Sequence, residues 1–106
     1  MTFQDYFAKF REIFMSADVS KLDGDIAFQI NLTGEGSGTF YAEYKNGKLS
    51  VEPYDYRDRD AALTADSKDF LKIAEGKMDP IQAYFLGKLK VDGDVSKALA
   101  LKNMVR

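Results

Sequence analysis

The stretch that decides the fold is GKMDPIQAYFLGKLKVDGD, Gly76 to Asp94, where glycines bracket a short apolar segment and the hydrophobic spacing changes partway along. Asp79 followed by Pro80 is an N-cap and first-turn pair, and Gly87 stops the chain after about two helical turns. Within that helix Ile81, Tyr84 and Phe85 share a face at i, i+3 and i+4. After Gly87 the period becomes two: Lys88, Lys90 and Asp92 point one way, Leu89 and Val91 the other, which predicts a strand. Nucleating a helix is costly, so two turns hold only when packed against something. The apolar side therefore covers a sheet, or a guest lying between helix and sheet, and periodicity does not choose between them.

Working back toward the amino terminus, Asp66 and Ser67 offer N-caps for a helix through Phe70, Leu71, Ile73 and Ala74 that runs until Gly76. Before it, AALTA (61–65) predicts a short strand with Leu63 as its one large inward side chain, and YDYRDRD (54–60) has no apolar face and reads as a surface crossing. Three alternating runs precede the crossing. Ile26, Phe28, Ile30 and Leu32 form the first, Phe40, Ala42 and Tyr44 the second, Leu49 and Val51 the third, with Asn46-Gly47 suited to a two-residue hairpin turn. Residues 2–16 predict an amphipathic helix whose face of Phe3, Tyr6, Phe7, Phe10, Ile13 and Phe14 is almost wholly aromatic. Working forward, Gly93 turns the chain and Asp94 caps a last helix, with Val95, Ala98, Leu99, Leu101 and Val105 across a wide apolar arc. A sheet with one apolar face and a set of helices is an α+β domain of two layers.

The chain of 106 residues is long enough for a single core and too short for two. Its composition, 45% hydrophobic and 30% charged, is that of a globular protein. With no Cys and no His, thiol nucleophiles, disulfides, Ser-His-Asp arrangements and His- or Cys-ligated metals are excluded together. The net charge is −2; residues 1–65 are acidic on balance and 66–106 mildly basic, which reads first as a solvated surface of mixed charge and only second as a faint attraction to anionic lipid surfaces. No cluster of Lys and Arg interleaved with aromatics supports a nucleic-acid track. The opening MTFQDYFAKFREIF lacks the apolar run of a secretory signal, no segment approaches ~18 consecutive apolar residues, and KNMVR is not a Ser-Lys-Leu address. The expected location is the cytoplasm.

Candidate chemistries are few. GEGSG (34–38) lacks the Lys and Ser/Thr of a P-loop and joins strand to strand, so it reads as a turn. The Asp-Gly-Asp triplets at 23–25 and 92–94 read as turn and cap chemistry and not as calcium loops. Strand carboxylates fall on the polar alternation, leaving no acid/base dyad. One charge breaks its pattern: at 100° per residue Lys102 projects within the apolar arc of the last helix. Its stem then either snorkels along apolar surface or sets an ammonium at the mouth of an apolar pocket, where it would hold a carboxylate or phosphate.

The string EGKMDPIQAYFLGKLKVDGDVSKALALKNM (75–104) resembles the carboxy-terminal signature of the sterol carrier protein type 2 domain family, with its G-K-[ML]-[ND]-P element, aromatic pair, G-K-L-K and G-[DN]. KNGKLSVEP (45–53) and AALTADSKDF (61–70) fit the family's middle strands and following helix. The resemblance implies one domain over 1–106: a five-stranded, mainly antiparallel sheet with helices on one face, enclosing an apolar lipid cavity. It implies non-catalytic binding and transfer of fatty acids, fatty acyl-CoA, phospholipid or sterol-like molecules by a stand-alone member, with no cofactor and no metal. Where the family often carries Gln, this chain has Lys102, which would favour an anionic head group.

On this reading the lipid-binding residues are Phe28, Ile30, Phe40, Leu63, Phe70, Ile73, Ile81, Tyr84, Phe85, Leu89, Leu99 and Lys102, with the helix of Ile81, Tyr84 and Phe85 as a roof. Burying a chain at about 0.8 kcal/mol per methylene supplies affinity without directional contacts. Expected partners are a lipid ligand and, transiently, membranes or lipid-metabolising enzymes. The alternative is an interaction or scaffold subunit with a filled core that docks on such an enzyme.

Overall fold

The computed structural model describes residues 1–22 and 24–105; the first residue of the 23–25 triplet lies outside the described residues. Helix α1 (Phe3–Met15) is followed by a 3-10 turn (Val19–Lys21), strands β1 (Ile26–Thr33), β2 (Gly38–Lys45), β3 (Lys48–Glu52) and β4 (Ala61–Asp66), then α2 (Ser67–Ala74) and α3 (Pro80–Phe85). Strand β5 (Lys90–Gly93), α4 (Val95–Ala98) and a 3-10 helix (Leu99–Asn103) complete it. The α+β expectation holds. The sheet order is β3-β2-β1-β4-β5, with β1 and β4 parallel and the other three pairings antiparallel.

The register makes the alternation into rows across the sheet. Phe28 lies beside Ala42 on β2 and Ala61 on β4, and the row continues to Val51 and Gly93. Ile30 lies between Phe40 and Leu63, followed by Val91. These rows form the covered face, because successive strand residues point to opposite sides. The other face carries Gln29, Asn31, Thr39, Tyr41 and Glu43, and the crossing after β3 runs over it. There the Tyr56 ring stacks on Tyr41 at 4.8 Å, its phenol donates to the Glu43 carboxylate, and its amide donates to Gln29 Oε1 at 3.1 Å.

Over the covered face α1 lays Tyr6, Phe10, Ile13 and Phe14, all buried. Phe10 packs on Phe40 at 5.6 Å between ring centroids and edge-on to Phe70 of α2 at 5.1 Å, so one aromatic cluster joins two helices to the sheet. Thr2 and Asp5 close a capping box at the start of α1, and the Asp66 carboxylate caps α2 by accepting from the Lys68 and Asp69 amides.

The turn at 34–38 owes its glycines to close approach and not to a phosphate. A Cβ on Gly36 would stand 2.7 Å from the Tyr6 ring and one on Gly38 2.4 Å from the Phe3 ring. The turn is fastened there: Tyr6 donates its phenol to Glu35 Oε2 at 2.5 Å, the amino terminus sits 3.4 Å from Glu35 Oε1, and Ser67 donates to the Glu35 carbonyl.

The last helix differs from the expectation. Four α-helical residues give way to a 3-10 helix, which has three residues per turn. Ala98, Leu101 and Met104 therefore fall in one row, and all three are buried. Ser96, Leu99 and Lys102 fall in the next row, which is exposed. Lys102 thus lies outside the apolar face, correcting the arc drawn at 100° per residue.

Candidate functional site

Of the twelve residues expected to bind lipid, six form the sheet-and-helix core. Phe28, Ile30, Phe40, Leu63, Phe70 and Ile73 each have 0% accessible surface, so no void as large as a water molecule touches them. The expected cavity is not seen at these positions: aromatic rings from α1 and α2 occupy the space between the layers. The sequence pattern marks such residues as inward-facing but carries no information on whether their neighbours leave a gap.

Ile81, Tyr84, Leu89 and Leu99 come together elsewhere, in a narrow cleft between α3 and the α4 segment whose other walls are Pro80, Val91, Val95 and Ala98. Its volume is about 10 Å³, at the lower limit for one water molecule. Every lining side chain but the Tyr84 phenol is apolar. The geometry follows from local rules. Asp79 accepts from the Ile81 amide at 3.3 Å, Pro80 opens the helix, and Gly87, at φ +77°, releases the chain toward β5. The Lys88 amide then donates back to the Ala83 carbonyl at 2.9 Å.

Within α3 the buried residue is Ala83, and Phe85 is 79% exposed. The roof is therefore Ile81 with Tyr84, and Phe85 stands outside it. Helix α3 packs on the carboxy-terminal 3-10 helix and buries the small Ala83, while its large neighbour Phe85 points away; an i, i+3, i+4 pattern does not show this. Pro80, Val91, Val95 and Ala98 were absent from the expected set, though their apolar character and their places beside Gly76, Gly87 and Gly93 marked them.

Leu99 separates the cleft from a second, open groove of about 380 Å³ that Lys21, Lys97 and Lys102 share with Leu22, Ile26, Ala100 and Asn103. Lys102 is exposed there. Lys97 is anchored, its Nζ 3.1 Å from Asp60 Oδ1, and Asp60 Oδ2 accepts from the Ala27 amide at 2.8 Å. The Asp60 carbonyl accepts from the Asp94 amide at 2.9 Å, so one aspartate ties β1, the crossing and α4. Hydrogen bonding leads the titration shifts of Glu35, Tyr6 and Tyr56, whereas burial leads that of Tyr41. The Tyr6 phenol holds Glu35 below the usual carboxylate range, while Glu35 raises Tyr6. The Glu43 carboxylate, with desolvation, pushes Tyr56 up to about 12. Among the described residues no group of three or more acidic side chains converges where a metal could sit, and no helix is long and apolar enough to cross a membrane.

Comparison with known proteins places these features in a family. The model of the SCP-2 sterol transfer family matches residues 6–106. Human sterol carrier protein 2 is 38% identical over 87 residues, 81% of this chain and 16% of its own length. Hydroxysteroid dehydrogenase-like protein 2 of Xenopus tropicalis is 39% identical over 79 residues, 74% of this chain and 19% of its own. The chain thus spans less than a fifth of either relative. Among solved structures, sterol carrier protein-2 from Aedes aegypti, in complex with the C16 fatty acid palmitate, superposes with a TM-score of 0.61 at 25% identity, covering 96% of this chain and 92% of that one. With the family model covering all but its first five residues, the chain belongs to the SCP-2 sterol transfer family.

Proposed function

We propose that the chain is a non-catalytic lipid carrier that takes the tail of a fatty acid or related amphiphile between α3 and the carboxy-terminal segment. The observation that carries this reading is the apolar cleft of Ile81, Tyr84, Leu89 and Leu99 in a member of this family, bordered across Leu99 by a lysine groove. An acyl chain needs a path of dry surface, and an anionic head needs a cation at its end. The cleft supplies the first and Lys102 the second.

The closed cleft widens when a tail enters. Helix α3 has six residues and α4 four, too few to be stable apart from their packing. Elements with so little internal stability move at small cost, whereas the Phe10, Phe40 and Phe70 cluster stays fixed. The tail displaces the carboxy-terminal row of Leu101 and Met104 and replaces its apolar contacts with its own.

The second reading, a filled-core subunit that docks on a lipid-metabolising enzyme, draws on the zero accessibility of the six core residues. Native mass spectrometry separates the two. The carrier reading expects a one-to-one adduct with palmitate, and the same mass with and without palmitate overturns it. A cytoplasmic location and transient contact with membranes or lipid enzymes belong to the carrier reading.

A further inference from the structure

The sheet ends in two edge strands, and they differ. Helix α1 packs on β3, whose Leu49 and Val51 are only 9% and 1% exposed. On β5, at the other edge, Lys90, Asp92 and Gly93 are all exposed. The Asp94 amide donates to the Asp60 carbonyl at 2.9 Å, so in the antiparallel register Lys90 and Asp92 bond inward to β4. Val91 and Gly93 therefore turn their amides and carbonyls outward, where no loop or side chain among the described residues hydrogen-bonds them. Such an edge is a template for a further strand.

The charges on this edge complement themselves. KLKVDGD (88–94) has lysines at 88 and 90 and aspartates at 92 and 94, a palindrome of opposite charge about Val91. Lys90 and Asp92 stand on the open face of the sheet, beside Thr64 and Ala62. All four charged residues are exposed, and among the described residues none is in an ion pair, although Asp66 and Asp69 share a groove with the two lysines. Asp94 uses one carboxylate oxygen to accept from the Lys97 amide at 3.1 Å. Within one copy, like charges adjoin along the strand. An antiparallel second copy centred on Val91 sets Lys90 opposite Asp92 and Lys88 opposite Asp94, and the two-fold axis repeats each pair.

Exposed apolar side chains flank the same strand: Phe85 and Leu86 before it, Val95 and Leu99 after it. Antiparallel pairing carries the 85–86 end of one copy toward the 95–99 end of the other.

We propose that the β5 edge pairs with the β5 edge of a second copy of this chain, antiparallel about Val91, joining two sheets into one. Val91 exchanges both backbone hydrogen bonds with its counterpart, and the four lysine–aspartate pairs fix the register. A one-residue slip sets each charged residue opposite an uncharged one, so the charge pattern selects this alignment. The pairing needs no lipid, so it and the carrier reading fail separately.

Sedimentation equilibrium of the lipid-free chain over a range of protein concentrations tests this, with the mass expected to rise from one chain to two. Lys90→Asp is expected to weaken association about tenfold, because two attractive pairs become repulsive ones. Lys90→Asp combined with Asp92→Lys is expected to restore it to within about twofold, since the swapped charges again face their opposites. The restored variant carries the single variant's substitution, which excludes misfolding as the cause of the loss. The chain has no Cys, so thiols report the register as well. A mixture of the Lys90→Cys and Asp92→Cys variants is expected to form disulfide dimers several-fold more readily than either variant alone, because the facing Cα atoms of such a pair stand about 4.5 Å apart. A mass of one chain at every concentration overturns the proposal. So does a double variant that stays as weak as the single one, or cross-linking no greater in the mixture than in either variant alone.

Discussion

The Tyr6 phenol and the Glu35 carboxylate, 29 residues apart in sequence, meet at 2.5 Å and fasten the first turns of α1 to the glycine-rich turn between β1 and β2. Glu35 is the charged member, held low by the phenol it accepts from. A depressed folded-state pKa contributes stability that is present above the unfolded carboxylate range and lost as pH falls through the folded value. Tyr6→Phe is therefore expected to melt below the wild type at pH 7, with the difference shrinking as the buffer is acidified through pH ~4 and below. Thermal melts of both proteins from pH 7 to 3 check this, and a gap that stays constant would place the loss in packing.

A second phenol, that of Tyr56, is also raised by a carboxylate that accepts from it. Tyr56, donating to Glu43 and stacked on Tyr41, is raised from 10.0 to about 12. Here the folded value lies above the unfolded one, so its stabilising contribution is complete below pH ~10 and is lost as pH rises toward 12. Ultraviolet titration of phenolate formation is expected to show a late step near pH 12 that Tyr56→Phe removes. A late step that survives the substitution would assign it to another tyrosine.

The aromatic cluster sets the global stability. Phe10 touches both Phe40 and Phe70, and all three are inaccessible to solvent. Phe10→Ala is expected to cost about 3–5 kcal/mol, a large part of the ~5–15 kcal/mol typical of a domain. Urea unfolding followed by far-ultraviolet circular dichroism measures it. A loss below about 1 kcal/mol would mean that the cluster collapses around the missing ring.

Two glycines with positive φ separate backbone strain from collision. Gly47, at φ +76°, has open space where a Cβ would stand. Gly93, at φ +116°, would place a Cβ 2.5 Å from the Asp60 carbonyl oxygen and 3.0 Å from Ala61 Cα. Gly47→Ala is expected to cost about 1 kcal/mol and Gly93→Ala roughly 2 kcal/mol or more. Denaturation midpoints rank the two, and the reverse order would contradict the close approach at the end of β5.

At the proposed site, Lys102→Gln is expected to weaken palmitate binding about two- to fivefold and to leave methyl palmitate unchanged, because only the acid carries a charge for the exposed ammonium to meet. Titration of both ligands into wild type and variant measures the difference. Equal losses for acid and ester would make the lysine stem, and not its charge, the contributor.

Most of the architecture was legible because it rests on local rules. Asp66, Asp79 and Asp94 sit where a capping carboxylate is needed, and the strand alternation from Ile26 to Leu32 survives intact in the register. What the sequence concealed depends on neighbours. The period of three at Ala98, Leu101 and Met104 emerges only when the last segment tightens against α3, and that tightening moved Lys102 to another row. The displacement of Phe85 depends on the close seating of Ala83, and the filling of the interior on rings contributed by α1, more than fifty residues upstream of α2.

The parallel pairing of β1 with β4 carries a kinetic consequence. Phe28 and Ala61 become partners only after the chain has completed two hairpins and recrossed the sheet, so the central pair of strands cannot zip outward from a tight turn. Closing a loop of that size costs entropy before any ladder bond repays it. Refolding should therefore be limited by the moment at which the β4 segment finds the edge of β1, and chain flexibility in the 53–60 connection, more than the strength of any hairpin, should set the rate.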